Sequence, residues 1–383
     1  MSKINSGQLS LIWFGAAISV AEIEAGAEIG RNWAALVSGH AVGGLILFAA
    51  GLIGSRLRLG AMATTSAAFG DFGARFFALL NVVQLVGWIA VMNEQSTEAL
   101  SELWHGFASP LTHIVLSALV GIWVIVGIFR TTRLATFSLG ALAILMAILS
   151  FRFQAGGHAA AEGSVSLPFW TAFEISAAMP LSWVPVIADY TRDAGRPVRQ
   201  CALAAAVYTI ASVWMYSLGM ILGGETTLSS ALVLHGLSLV GIPILIVSTV
   251  TTNLLAAHSS GESALVVSRR LNAKAVVALV AAGGAALSIF GIAGHYITFL
   301  YFIASVFSPM AAVLIVSHFV VKRPATVWNI TAWAVGFATY QLMARYGTAP
   351  TPVALVVAAA LAVIPRFVSS AKETNTGSSR VSP

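Results

Sequence analysis

The sequence predicts an all-α polytopic membrane protein organised as an inverted repeat of helices, and three observations lead there. Of its 383 residues 58% are hydrophobic and 9% charged, with a mean hydropathy of +0.88, a balance that soluble domains do not reach. About twenty apolar residues span the hydrocarbon, and the chain offers twelve such runs, near 9–30, 33–54, 75–102, 111–129, 134–151, 168–190, 200–222, 232–259, 273–292, 295–320, 326–345 and 350–367. Finally, seventeen of the twenty Lys and Arg residues lie at the termini or in alternate joints, while the opposite joints hold only Arg31, Arg152 and Arg345. That asymmetry obeys the positive-inside rule and places both termini in the cytoplasm. One span more or fewer would put the later basic joints on the wrong side. The positive net charge therefore needs no nucleic-acid partner.

The first run lacks a small-residue cleavage site after its apolar core and reads as a retained span. Its stretch GAAISVAEIEAGAEIG, Gly15 to Gly30, carries Glu22, Glu24 and Glu28. Acids inside a span are costly and mark a cavity or a partner. Ser19 and Glu22 fall about 16–21 Å along the helix at its usual rise, near the bilayer midplane, where an interruption is expected. Glu24 points roughly opposite on an ideal helix, and Glu28 lies near the outer interface. In the third run Gln84 and Trp88 stand four apart on one helix face. The sixth, FWTAFEISAAMPLSWVPVIADYTR, contains Pro180 and Pro185, each of which removes a backbone donor, and it predicts an unwound segment at about 178–182. Asp189 and Arg192 beyond it read as an ion pair clamping the cytoplasmic end. The eighth run gathers Ser248, Thr251, Thr252 and Asn253, with His258 at its cytoplasmic end as an interface residue. Interruptions at one depth in oppositely directed helices, five positions apart, point to an inverted-repeat transporter with its binding site between the breaks.

Domain organisation follows. Residues 1–368 form a single transmembrane domain, with repeat one at about 9–151, repeat two at about 168–320 and two further helices at about 326–367. The small, polar segment 369–383 is expected to be a disordered cytoplasmic tail. Loops of a few residues leave no room for a soluble catalytic domain, and the single cysteine, Cys201, excludes an intrachain disulfide or a cysteine-cluster metal site. The remaining glycines allow helices to approach closely.

The stretches WFGAAISVAEIEAG, QLVGWIAVMN and MPLSWVPVIADYTR, with TTN in the eighth helix, resemble the nucleobase:cation symporter-1 family, most closely its CytX group of hydroxymethylpyrimidine transporters. The resemblance covers essentially all twelve helices, and its most specific piece is the MPLSWVP...DYTR run. It implies a LeuT-like 5+5 inverted repeat with helices one and six interrupted, two additional C-terminal helices, and sodium- or proton-coupled import of a flat nitrogen heterocycle across the bacterial cytoplasmic (inner) membrane. By the same resemblance Trp88 matches the aromatic residue that stacks on the ligand ring, Thr251 and Thr252 the hydroxyl pair that binds sodium, and Asn253 the amide after it. Two positions depart from the pattern: Met92 and Ala257 stand where better-known members have a glutamine and an asparagine.

The residues agree with this on chemical grounds. A pyrimidine needs an aromatic platform and groups for its polar edge; Trp88 and Trp183 supply the first, Ser19, Glu22, Gln84 and Asn253 the second. Backbone carbonyls freed near Ala17 and Val20, with Ser248, Thr251 and Thr252, would make an all-oxygen cage for sodium, a proton being the alternative coupling ion. No other cofactor is expected, and the partners are a pyrimidine-like substrate, a coupling cation and the bilayer. An amino-acid or amine carrier of the same fold is the runner-up, although Glu22 would repel a carboxylate. A membrane-embedded enzyme would need a nucleophile with its base or a metal cluster at mid-depth, and the sequence offers neither.

Overall fold

A computed structural model describes residues 5–126, 140, 141, 143–151, 167–223, 228–234, 236–322 and 325–377. All regular structure among the described residues is helical. Helix α1 (Ser6–Ala17) begins with a reciprocal box in which the Asn5 side chain accepts from the Gln8 N–H at 2.8 Å and the Gln8 side chain accepts from the Asn5 N–H at 3.2 Å. It ends where Ile18 leaves the helical region (φ −91°, ψ 87°). Ser19 restarts the chain as the N-cap of α2 (Val20–Ile29), its hydroxyl accepting from the Glu22 N–H at 3.3 Å. The halves meet at 54°, so the break expected at Ser19 is present.

The sixth span departs from expectation. Its backbone is helical through α8 (Phe169–Ser182) and again through α9 (Val184–Thr191), and only Trp183 (φ −90°, ψ −8°) separates them. The predicted unwinding at 178–182 is thus reduced to a one-residue hitch. Pro185 falls in the first turn of α9, where a missing N–H costs no helical bond. The Trp183 N–H shifts to the Pro180 carbonyl at 3.3 Å, and the Met179 carbonyl it leaves behind is taken by the Ser182 hydroxyl at 2.6 Å.

Two groups of helices frame the centre. In the first, α3 (Trp33–Leu57) packs on α8 and on α10 (Pro197–Leu222), while α2 packs on α10. These contacts are made backbone to backbone. A Cβ on Gly219 would stand 1.9 Å from the Ile23 carbonyl oxygen, and one on Gly26 2.2 Å from that of Tyr216. Gly39 and Gly43 likewise admit Ser176 and Pro180, which a Cβ would meet at 2.5 and 2.3 Å. Spans one, two, six and seven therefore form one tightly joined body. In the second group, α5 (Ser66–Leu103) and α6 (Pro110–Val126) pack on α12 (Ser238–Val267) and α13 (Ala273–Ile289). The short α4 (Ala61–Thr64) leads into α5, whose first turn bends at Gly70 (φ 68°), a conformation that glycine adopts without strain.

Residues 140, 141 and 143–151 are helical (α7), and α11 (Leu228–Leu234) precedes α12. Helices α14 (Tyr296–Val316), α15 (Thr326–Arg345) and α16 (Pro350–Gly377) pack together, with α14 also against α8. Among the described residues seven helices are long and apolar enough to cross a membrane, and the bent pair α1–α2 makes an eighth. The expected fifth span, 134–151, lies partly outside the described residues. The backbone of α16 is helical to Gly377, the last residue described there, past residue 369 where the sequence predicts disorder; AKET is composed of residues compatible with a helix. Residues 378–383 of that expected tail lie outside the described residues.

Candidate functional site

The break in span one faces α12. The Ser248 hydroxyl donates to the Ile18 carbonyl at 2.9 Å, and the Thr252 hydroxyl to the Gly15 carbonyl at 3.3 Å. Thr251 donates within its own helix, to Val247 and Ser248 carbonyls at 2.8 and 2.9 Å. Two of the three hydroxyl residues expected from the sequence, Ser248 and Thr252, therefore reach the break, and the carbonyls they meet are those of Gly15 and Ile18, not Ala17 and Val20. Val20 already belongs to the first turn of α2, where its carbonyl serves the new helix. Two hydroxyls of α12 thus bond two main-chain carbonyls at the end of α1.

Two aromatic groups involve the tryptophans expected from the sequence. Trp88 lies edge-on to Tyr296 and Phe299 of α14, with ring centroids 6.0 and 5.6 Å apart. Trp183, at the hitch, lies edge-on to Trp13 and Tyr208 at 5.7 and 6.2 Å. Gln84 stands one helical turn before Trp88: its amide N–H groups go to Asn81 Oδ1 at 2.7 Å and the Ser182 carbonyl at 3.3 Å. Its Oε1 is buried without a partner. Asn253 donates to Asn93 Oδ1 at 3.0 Å, and Asn93 in turn to Ser117; Asn253 Oδ1 is likewise buried and unpartnered, as is the indole N–H of Trp13. Leaving such atoms unpaired costs about 1–3 kcal/mol each.

Both carboxylate oxygens of Glu22 are engaged by α10, Oε1 by Tyr208 at 2.8 Å and Oε2 by Ser212 at 2.6 Å. Ser19 serves as the N-cap described above. Glu24 receives the Gln95 amide at 2.5 Å. At the other end of the body, Arg192 pairs with Glu262 of α12 at 2.6 Å, not with Asp189. The Glu262 hydrogen bond holds the guanidinium above its ordinary proton affinity. Asp189 instead accepts from the Ala61 N–H of α4 at 2.8 Å and from Ser259 of α12, and it lines, with Arg192, Glu262 and Arg269, a cavity of about 450 Å³.

No protein-family profile and no curated protein matches the chain by sequence. Solved structures do match. Mhp1, a nucleobase-cation-symport-1 family transporter in a closed conformation with bromovinylhydantoin bound, aligns with a TM-score of 0.76 at 19% identity over 96% of this chain and 93% of that one. The chain has a LeuT-like transporter fold. Inward-facing Mhp1 aligns at a TM-score of 0.72 and 18% identity (95% and 90% covered). A substrate-bound, outward-open Na+-coupled sialic acid symporter aligns at 0.73 and 12% identity (96% and 90% covered).

Within the LeuT-like fold three residues near the breaks are not among those singled out from sequence. Trp13 sits one turn before the first break, and its indole in an apolar run gave no sign of being unpaired. Asn93 follows Trp88 by five residues and holds Asn253. Asn81 holds Gln84 and also reaches the Pro185 carbonyl at 3.0 Å and Ser263 at 2.8 Å; NVVQLVGW spells out its i, i+3 relation to Gln84, a legible signal.

Proposed function

We propose that this protein imports a pyrimidine-type heterocycle, hydroxymethylpyrimidine or a related thiamine precursor, or cytosine, by cation symport with alternating access. The observation that carries the reading is the meeting of Ser248 and Thr252 with the Ile18 and Gly15 carbonyls at the break in span one. An intact helix commits its carbonyls to its own N–H groups; a broken one offers them, and the oxygens assembled here would hold sodium once the hydroxyl hydrogens swing aside. Thr251, whose hydroxyl bonds the Val247 and Ser248 carbonyls of its own helix, would join them by turning that hydroxyl away.

The ligand class follows from what is left unpaired. Gln84 Oε1 and Asn253 Oδ1 are acceptors, which suits a ring edge with amino or N–H groups, and Trp88, Trp183 and Trp13 provide aromatic faces or edges. The hydantoin bound by Mhp1 is a nitrogen heterocycle of this general kind. An α-amino acid would bring a carboxylate to those acceptors. The amine branch of the runner-up reading meets no such objection and is tested alongside. The deciding experiment is a thermal-shift screen of the purified protein with hydroxymethylpyrimidine, cytosine, amines and amino acids, with and without sodium, since a ligand of the folded state raises its stability by mass action. A pyrimidine shift that grows with sodium is expected; a shift with amino acids or amines alone would replace the reading.

The membrane placement is tested separately. A tag at residue 160 should be labelled from outside intact bacterial cells, and one at residue 195 only after permeabilisation, as expected for cytoplasmic termini in the inner membrane. The reverse pattern would invert every depth assignment.

A further inference from the structure

Inside the body formed by spans one, two, six and seven runs an unbroken line of polar contacts that neither the cation cage nor the ring site uses. Glu22 Oε2 lies 2.6 Å from Ser212 Oγ, which lies 2.7 Å from His40 Nε2; His40 Nδ1 lies 2.7 Å from Ser176 Oγ, and that hydroxyl lies 2.6 Å from the Leu36 carbonyl. All four side chains are buried. The assignment of hydrogens follows from counting. Each of the four contacts needs one hydrogen, whereas two serine hydroxyls and a neutral histidine supply three.

The direction of each bond removes any escape. A carbonyl only accepts, so Ser176 donates to Leu36, and His40 Nδ1 must then donate to Ser176. The Leu36 carbonyl also stands 3.3 Å from Nδ1 as a second acceptor for that hydrogen. Nε2 of a neutral ring is left as an acceptor and takes the Ser212 hydrogen. An ionised Glu22 would then face the Ser212 oxygen lone pair to lone pair across 2.6 Å. Tyr208 cannot help, because its single hydroxyl hydrogen already serves Oε1.

We propose that Glu22, Ser212 and His40 form a binding site for one proton, a cation site separate from the cage at the helix break. The proton resides on Glu22 Oε2 with a neutral His40, or on His40 Nε2 with an ionised Glu22. Passage between the two forms moves the Glu22 proton to Ser212 Oγ while the Ser212 hydrogen moves to Nε2, and no other atom changes place. The surroundings offer no competing charge. Facing groups are Tyr208 and Tyr216 of α10, His40 of α3 and Tyr296 of α14, whose hydroxyl donates to the Ala21 carbonyl at 3.1 Å. Glu174 of α8 is engaged by Tyr340 and Thr351, and on α2 itself Glu24 turns to Gln95. No Lys or Arg pairs with Glu22 among the described residues, so a proton is the available counter-charge for a carboxylate buried in this way. The site stands whether or not the chain carries a heterocycle, since it involves neither Trp88 nor the cage.

Infrared difference spectra of the purified protein at neutral pH, in H2O and D2O, read the proton directly without any substrate. Glu22→Gln brings its own amide hydrogen to Ser212 and fills the fourth contact covalently; Glu22→Leu deletes that contact, leaving three hydrogens for three, and serves if the glutamine variant does not fold. Subtracting the variant from the parent should reveal one deuterium-sensitive carboxylic-acid C=O band, wholly lost in the variant. A lost carboxylate pair would support the site only if His40→Gln removes imidazolium bands. A lost carboxylate together with a neutral imidazole overturns the proposal, and failure of the pyrimidine screen would leave this result untouched.

Discussion

Gly219→Ala is expected to keep the protein from reaching its folded state. The added Cβ would lie 1.9 Å from the Ile23 carbonyl oxygen and 2.8 Å from the Ala27 nitrogen, and both are backbone atoms that no rotamer change can move. Relief requires α2 and α10 to separate, which would also strain the Glu22 bonds to Tyr208 and Ser212. Overpacking a core ordinarily costs about 1–3 kcal/mol, and a clash with backbone belongs at or above the top of that range. Membrane yield and thermal midpoint in detergent measure it, with Gly195→Ala, whose Cβ would meet nothing within 4 Å, as the neutral control. A midpoint like the parent's would mean that the two helices do not touch as described.

The second large effect falls on the cage. Ser248→Ala and Thr252→Ala, separately and together, should erase the stabilisation given by sodium while the sodium-free midpoint moves little. For a parent held at a hundredfold its Kd for sodium that stabilisation is about 2.7 kcal/mol. Thr251→Ala should weaken the sodium response as well, and all three should weaken it more than they weaken heterocycle binding at saturating sodium. Uptake indifferent to sodium in the parent, or variants with the parental sodium response, would remove the cage and leave the proton as the coupling ion.

The parts legible in the sequence were those written in single residues. Ser19 before an acid marks a helix start inside an apolar run, and the chain breaks there. The hydroxyls of VSTVTTN announce a polar face, and two of them, Ser248 and Thr252, meet the break. What escaped depends on rotation and distance. Whether Ala17 or Ile18 offers its carbonyl is set by the turn of α1 about its own axis, which α12 decides. The partners of Glu22 lie on α10, and those of Asp189 on α4 and α12, so chain order could not pair them. Two prolines read as an unwound segment, yet Pro185 opens a new helix where its missing donor is harmless. The edge-on cluster of Trp13, Trp183 and Tyr208 joins three spans and has no local pattern at all.

Asp189 leaves one last consequence, which concerns time. It ties α4 and α12 to the end of α9, and Arg192 ties α12 again through Glu262. In the alternating-access cycle proposed above, opening this face would break those bonds on every turn, whereas ligand contacts deeper in the chain would persist through the motion. Bonds of that kind add to the barrier between states and leave intrinsic affinity alone; conformational steps commonly limit turnover. The pair is thus a clock more than a lock. Asp189→Asn should shorten the dwell of the closed face in single-molecule traces with ligand affinity preserved, and an unchanged dwell would show that the rate is set elsewhere.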